Sequence, residues 1–416
     1  MVTIKSFKGW RPQREFVEQV AAPPYDVLSS AEAKVLASGN EKSFLRVTKP
    51  EVDFEEGIDT YSQEVYNKGK LNWEDFKANG LFIQDQEDTI YFYRQGINGH
   101  FQTGIVAASS IDDYFNGTIK KHEFTRPKKE NDRIAHMDTL GVHPGPVFLT
   151  YKNYEPLDAA IASFTSTNTP EYDFIADDGV SHTLWVVKNK ELIENIISIF
   201  KNEISATYIA DGHHRAAASS KVGLKLRETN ADKNASHNFF LSVLFPDNQL
   251  KIIDYNRLIV DLNGLTIQEL LSKISDNFEV QKVGSSVYKP EQSLEFGMYL
   301  DKNWYQLKAK PHTVVLDDPI KCLDVTVLSD YLISPILGIT DQRTDERIDF
   351  VGGIRGLSEL QKRVDSGEMK LAFALYPVSI QQLIDIADAN EVMPPKSTWF
   401  EPKLRSGLVV HEFKKS

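Results

Sequence analysis

Apolar and polar positions along the chain switch between two periods, and the switches mark out its elements. Short alternating or continuous apolar runs predict strands at 89–94, 101–108, 181–187, 238–245, 250–260 and 371–375. Shorter strands are expected at 43–47 and around Lys302-Asn303 within 294–320. Helical spacing predicts a helix over 55–79, where Ile58, Tyr61, Val65 and Leu71 recur, and others over 189–201, 266–277 and 323–337. The punctuation agrees. Asn98-Gly99 marks a hairpin turn between the first two strands, since both residues tolerate the left-handed backbone it needs. Ser29 or Ser30 caps a helix that runs to about Ser38 and stops at Gly39-Asn40. Ser379 caps another that reaches about Ala389. Pro246-Asp247-Asn248 and Gly352-Gly353-Ile354 read as turns.

The pattern breaks most abruptly at Tyr208-Ile209-Ala210-Asp211-Gly212-His213-His214-Arg215-Ala216-Ala217-Ala218. An apolar run ends in Asp-Gly, and an alanine-rich segment of good helix propensity follows. The reading is strand, tight turn, helix, with the helix starting near His213. The first N–H groups of such a helix have no partner within it and form a ready anion site. Arg215 adds a fork of donors suited to phosphate or carboxylate. Asp211 can cap the helix or hold a metal ion or a hydroxyl. An ordinary turn and cap is the plainer reading of the same residues. Successive helical residues point about 100° apart, so His213 and His214 cannot both face one ligand squarely.

Other polar segments suit the same chemistry. Phe7-Lys8-Gly9-Trp10-Arg11-Pro12 mixes aromatic and cationic residues in a compact loop. In Ala21-Ala22-Pro23-Pro24-Tyr25-Asp26-Val27 two prolines stiffen the backbone that presents Tyr25 and Asp26, as a site or as a rigid connection. Arg46 sits among apolar neighbours and needs a carboxylate of the protein or an anionic ligand. Residues 119–146 concentrate basic groups in an acidic chain, His122, Arg126, Arg133 and His136 among them, together with the carboxylate of Glu123. Glu123, flanked by His122 and Arg126, is a candidate general base among groups that bind phosphate. Lys128-Lys129-Glu130 reads as a solvated helix face. Asp177-Asp178-Gly179 reads as a turn rather than as a magnesium site. Near the end, Met393-Pro394-Pro395-Lys396-Ser397-Thr398 fixes a loop ahead of a lysine and two hydroxyls, for a phosphate contact or for structure alone.

The 416 residues are 41% hydrophobic and 25% charged, which suits a soluble globular protein of two or three domains. A net charge of −12 makes nucleic-acid binding unlikely and disfavours anionic membranes, because both need a basic face. The single cysteine, Cys322, excludes an intramolecular disulfide and a cysteine-based metal cluster; its apolar neighbours suggest burial. The first residues lack the features of a secretion signal, and no run of about 18 apolar residues occurs, so a cytoplasmic protein is expected. The expected fold is α+β, with mixed sheets and packed helices. Three regions are expected: 1–150 as an N-terminal α/β region with the polar cluster, 151–265 as the phosphate-binding core, and 266–416 as an α/β region closing the site. A homo-oligomer is left open.

With these residues laid out, the chain resembles a bacterial and archaeal domain-of-unknown-function family. The resemblance rests on Ala-Pro-Pro-Tyr-Asp-Val at 22–27, Asp-Gly-His-His-Arg at 211–215 and Met-Pro-Pro-Lys-Ser-Thr at 393–398. Phe44-Leu45-Arg46-Val47, Tyr255-Asn256-Arg257 and Leu375-Tyr376-Pro377 match as well. The central box also resembles, more remotely, the phosphate-binding box of the ParB/sulfiredoxin superfamily, which includes the free serine kinases. That resemblance implies a ParB/sulfiredoxin-like core whose helix N-terminus grips nucleotide phosphates. The serine kinases use a glutamate to activate serine, and members of the present family are commonly encoded beside serine-biosynthesis genes. The long C-terminal half departs from the compact superfamily domain. The function this implies is phosphoryl transfer between ADP or ATP and free serine or phosphoserine, with Mg2+. Gly212, His213, His214, Arg215, Arg126 and Arg133 would hold the nucleotide. Glu123, with His122, Asp211, His213, His214 and Arg215, would form the catalytic set, Glu123 being chosen as base from its chemistry rather than by alignment. Tyr25, Asp26, Arg46, Lys396 and Ser397 would meet the substrate, and Asp211 or Asp26 the metal. The alternatives are a phosphoserine phosphatase and a ParB-like nucleotide-binding switch or adaptor without substantial catalysis. A metal hydrolase is disfavoured, because His213-His214 lacks the spacing that puts two imidazoles on one helix face.

Overall fold

The hairpin anticipated at Asn98-Gly99 lies in the middle of a large mixed sheet. Asn98 and Gly99 take φ of 50° and 77° and join β1 (Ile90–Ile97) to β2 (His100–Ser110). The computed structural model describes residues 1–315 and 317–414. Its contacts divide the chain into two units, Met1–Leu250 with Pro402–Ser416, and Lys251–Glu401. This differs from the three regions expected. The boundary placed at 150 falls inside β4 (Val147–Tyr151), residues 251–265 belong to the second unit, and the final segment returns to the first.

In the first unit the sheet also takes in β3 (Ile119–Lys120), β5 (Tyr172–Ile175), β6 (Ser181–Val187), β7 (Thr207–Asp211) and β8 (Phe239–Pro246). The order is β3-β7-β4-β8-β2-β1-β6-β5, and the short strand Ile4–Lys5 pairs with β2. β3 with β7 and β4 with β8 are parallel, and the rest are antiparallel, so the sheet is mixed. Ser29 caps α1 (Ser30–Ala37) through a capping box with Glu32, as the sequence suggests. Then follow α2 (Leu45–Thr48), α3 (Gln63–Ala78), α4 (Pro127–Leu140), α5 (Glu155–Thr167), α6 (Lys190–Asn202) and α7 (His213–Leu226).

Strand alternation gives the sheet two different faces. One is apolar: Ile90, Phe92, Ile105, Leu149, Trp185, Ile209 and Phe240 pack with Leu157 and Ile161 of α5 and Ile193, Ile196 and Phe200 of α6. Full burial of each such side chain is worth about 1.5–3 kcal/mol. The other face buries polar groups that are hydrogen-bonded. Gln102 donates to Gln95 at 3.0 Å, Gln95 donates to the Lys403 carbonyl at 2.9 Å, and the Tyr93 hydroxyl meets His182 Nδ1 at 2.7 Å. The tail that carries Lys403 is held by bridges from Ala22 to Ser406 and Trp10 to Val410, and by His411–Glu412 pairing with Val142–His143.

The second unit has an antiparallel sheet of β9 (Tyr255–Ile259), β10 (Phe278–Gly284), β11 (Glu295–Leu300), β12 (Asn303–Ala309), β13 (Ile348–Gly352) and β14 (Leu371–Leu375), in the order β10-β12-β11-β14-β9-β13. α8 (Ile267–Asn277), α9 (Leu357–Asp365) and α10 (Ile380–Asp388) belong to it. Among the described residues no helix is long and apolar enough to cross a membrane.

Three expected elements are corrected. The strand expected at 43–47 is the short helix α2; Phe44, Leu45 and Val47 are all buried, and burial on every side erases the period that tells helix from strand. The helix expected over 55–79 starts only at Gln63, capped by Ser62. The strand expected at 250–260 divides into Ile252–Ile253, paired with Trp399–Phe400, and β9. Cys322 is partly rather than fully buried.

His136, His143, His182 and His411 are buried in the first unit, with His143 and His411 in ring-to-ring contact at 3.0 Å. Burial pushes the pKa of His182 and His411 down to about 3 and holds those of His136 and His143 well below the ordinary value. Such rings are neutral when folded and take up protons on unfolding. The stability they contribute is therefore present above the unfolded value near 6.5 and is lost as pH falls toward about 3, by about 1.4 kcal/mol per pH unit for each. Thermal midpoints are expected to drop steeply between about pH 6.5 and pH 5; a flat profile there would contradict the neutral buried state.

Candidate functional site

β7 ends at Asp211, α7 begins at His213, and Gly212 between them takes φ 92° and ψ 33°. A side chain would be strained at that φ, so the conformation calls for glycine, and a Cβ there would also stand 3.0 Å from the Arg215 guanidinium, which would have to give by a few tenths of an ångström. Asp211 Oδ1 accepts the Gly212 N–H at 2.8 Å. The helix has no side-chain cap, and its first internal bond runs from Ala216 N–H to the Gly212 carbonyl at 2.9 Å. The N–H groups of His213, His214 and Arg215 therefore have no acceptor within the helix, at the positive end of 14 residues of aligned peptide dipoles.

Charged side chains surround this helix end. The Arg215 guanidinium is buried, donates to the Pro146 carbonyl, and lies 3.5 Å from Asp26 and 3.7 Å from Asp211. Lys403 reaches Asp211 Oδ2 at 3.1 Å. Burial works to raise the Asp211 carboxyl, but Lys403 and Arg215 outweigh it and hold the group well below the usual carboxylate range. Burial opposes the charge on Arg215, and Asp26 and Asp211 restore it. Tyr25 places its ring 4.2 Å from the Arg133 guanidinium, and burial together with Asp26 pushes its phenol up.

The two histidines of the box part company, as the helical angle requires. His213 turns inward, 6% exposed, and meets His122 edge to face with ring centres 4.5 Å apart. Burial pulls its pKa down to about 3, so it is a neutral imidazole. Its Nδ1 lies 3.8 Å from Glu123 Oε2. His213 Nε2, His122 Nδ1 and Arg215 Nε are buried without a hydrogen-bond partner. His214 accepts the Arg126 backbone N–H on Nε2 at 3.0 Å, so its own proton sits on Nδ1 and its ring ties the 122–126 segment to the helix start. The Glu123 side chain is about half exposed, at 47%.

The structure thus brings together Tyr25, Asp26, His122, Glu123, Arg126, Arg133 and residues 211–215, across large separations in sequence. Arg133 is already held by Asp132 at 2.7 Å from Nε. Arg46 is not part of the group: its guanidinium pairs with Asp53 and donates to the carbonyls of Asn40 and Ala37, both at 3.1 Å. Lys396 and Ser397 belong to the second unit. Glu130, expected to be solvated, is buried and bonded to Thr125 and Lys221. Lys403 escaped notice; its one sequence signal is a cation set between Pro402 and Leu404.

Magnesium held by the protein does not fit here. Asp211 and Asp26 both face Arg215, Asp211 also binds Lys403 and an amide, and among the described residues no three acidic, histidine or cysteine side chains gather as a metal site.

Fold and site together define an α+β protein with an uncapped helix N-terminus set among buried charges. The chain belongs to the family described as Protein of unknown function (DUF1015), whose model matches residues 4–326. No curated protein matches the sequence. Among solved structures, a conserved hypothetical protein from Pyrococcus furiosus is similar at 14% identity, covering 73% of this chain and 93% of that one, with a TM-score of 0.36. A free serine kinase in complex with AMP is similar at 14% identity over 71% of this chain and 86% of that one, with a TM-score of 0.36. SbnI from Staphylococcus aureus, truncated at its C-terminus, is similar at 9% identity over 72% and 85%, with a TM-score of 0.34. All three likenesses are remote.

Gly212→Ala is expected to lower unfolding free energy by about 1–2 kcal/mol, the usual cost of a side chain in left-handed backbone. Urea denaturation measures this, and unchanged stability would show that the turn is less constrained than its φ implies.

Proposed function

We propose that the cluster binds the phosphates of ADP or ATP and moves a phosphoryl group between that nucleotide and free serine or phosphoserine. One observation carries the reading: three unpaired amides at the start of α7 stand beside the buried Arg215, with Glu123 3.8 Å from a neutral His213. Phosphoryl transfer needs positioning and charge neutralisation more than covalent chemistry, and this arrangement suits it. The amides of His213, His214 and Arg215 would receive phosphate oxygens, with Arg126 and Arg133 offsetting charge. His213 Nε2, buried and unpaired, would be a further donor in the tautomer that carries its proton there. Tyr25 and the partly exposed carboxylate of Asp26 would meet the serine, Asp26 its ammonium.

In the direction toward ATP, the bond between the phosphoserine oxygen and phosphorus breaks and a bond from the ADP β-phosphate oxygen to that phosphorus forms. The protonated Glu123 carboxyl returns a proton to the departing serine oxygen. In reverse, Glu123 takes that proton. No step is assigned to a metal held by the protein. Serine as acceptor rests on the likeness of residues 211–215 to the box of the free serine kinases, and so does the reading of this region as a ParB/sulfiredoxin-like core.

Incubation with phosphoserine and ADP, followed by ATP measurement, tests the reading directly. Glu123→Gln should lower turnover by roughly 10²–10⁴ with nucleotide binding retained, the usual range for loss of a general acid or base. Arg215→Lys keeps the charge but loses the fork, and should weaken nucleotide binding by about tenfold or more. Phosphate release without ADP would favour a phosphatase. Wild-type turnover in both variants would remove the site.

A further inference from the structure

The second unit buries a cation that no carboxylate offsets among the described residues. Arg257 on β9 is 1% exposed; it donates to the Tyr255 carbonyl and, at 3.2 Å, to the Pro395 carbonyl, with the Phe350 ring 5.2 Å away. Asp254, the acid nearest in sequence, is turned to Asn256 at 2.5 Å. Burial pulls the Arg257 guanidinium down to about 10, and Tyr255 is the one group that opposes the shift. A buried charge is ordinarily paired. Here the bond to Pro395 instead fastens the loop that carries Lys396, whose ammonium lies 5.6 Å from the centre of the Tyr255 ring.

That loop is built rather than slack. Lys396 takes left-handed backbone at φ 58°, the Ser397 hydroxyl donates to the Pro394 carbonyl at 2.6 Å, and Trp399 packs edge-on against Tyr255 at 5.2 Å. Lys396 itself is exposed and, like Arg257, forms no ion pair among the described residues. Two unpaired cations meet around one tyrosine in a chain whose net charge is −12. Uncompensated positive charge, partly shielded from water, is what attracts and holds an oxyanion.

We infer that the 394–398 loop of the second unit is a binding site for a small oxyanion, phosphate or carboxylate, contacted by Lys396 Nζ and favoured by the field of Arg257 beneath it. The inference does not rest on the reading given for residues 211–215. Arg257 positions the loop and contributes charge; Lys396 makes the contact.

Calorimetric titration of the intact chain with inorganic phosphate in low-salt buffer tests this, with acetate in a parallel titration to separate a carboxylate site from a phosphate one. Two phosphate sites are expected in the wild type. Lys396→Ala, an exposed change, should weaken one at least tenfold without moving the melting temperature, and Lys396→Arg should restore it. Arg215→Lys should weaken only the other. A single site sensitive to Lys396 and not to Arg215 would support this inference and count against the function proposed above. Identical isotherms for Lys396→Ala and wild type with both ligands, or a single site sensitive to Arg215 alone, would overturn it.

Discussion

Everything in the first unit's polar cluster depends on one glycine in left-handed backbone. Gly212 lets β7 turn into α7 within a single residue, so the first amides of the helix emerge beside the end of a sheet strand rather than out in a loop. With no side-chain cap, those amides have no partner among the described residues, and partial positive charge collects where β7 stops. The neighbouring charges keep that end tolerable. Arg215 is shared between Asp26 and Asp211, and Lys403 completes the balance on Asp211. Two acids and two bases come close to cancelling, and the dipole end remains as the uncancelled attraction for an anion.

The histidines follow from burial. His122 and His213 lie edge to face with nitrogens that have no partner, and burial holds both rings neutral. A neutral imidazole can donate from one nitrogen without adding a full charge to a crowded site. His214 acts differently: by accepting the Arg126 amide it joins the 122–126 segment, and with it Glu123, to the helix start. One helical step between adjacent residues separates the two roles.

Much of this was legible in the sequence, and the rest was hidden for physical reasons. The turn at Asp211-Gly212, the hairpin at Asn98-Gly99 and the cap at Ser29 are local, and each follows from what glycine, asparagine and serine permit. Arg46 was visible as a cation among apolar residues, but its choice between Asp53 and a ligand depends on where α1 ends, and spacing does not reveal that. The short helix at 45–48 and the membership of residues 251–265 were misread because full burial removes periodicity and because pairing across a sheet leaves no mark in a single strand. Lys403 lies 192 residues from Asp211, a separation that no local pattern bridges.

The central claim is that the amide end of α7 receives phosphate oxygens. The most direct measurement is a titration of isotopically labelled protein with ADP, following the backbone amide resonances of His213, His214 and Arg215. If the helix end is the phosphate site, these three move together and saturate with one binding constant, and Arg215→Lys weakens that constant. If ADP binds while all three stay where they are, the nucleotide sits elsewhere and the picture of the site is wrong.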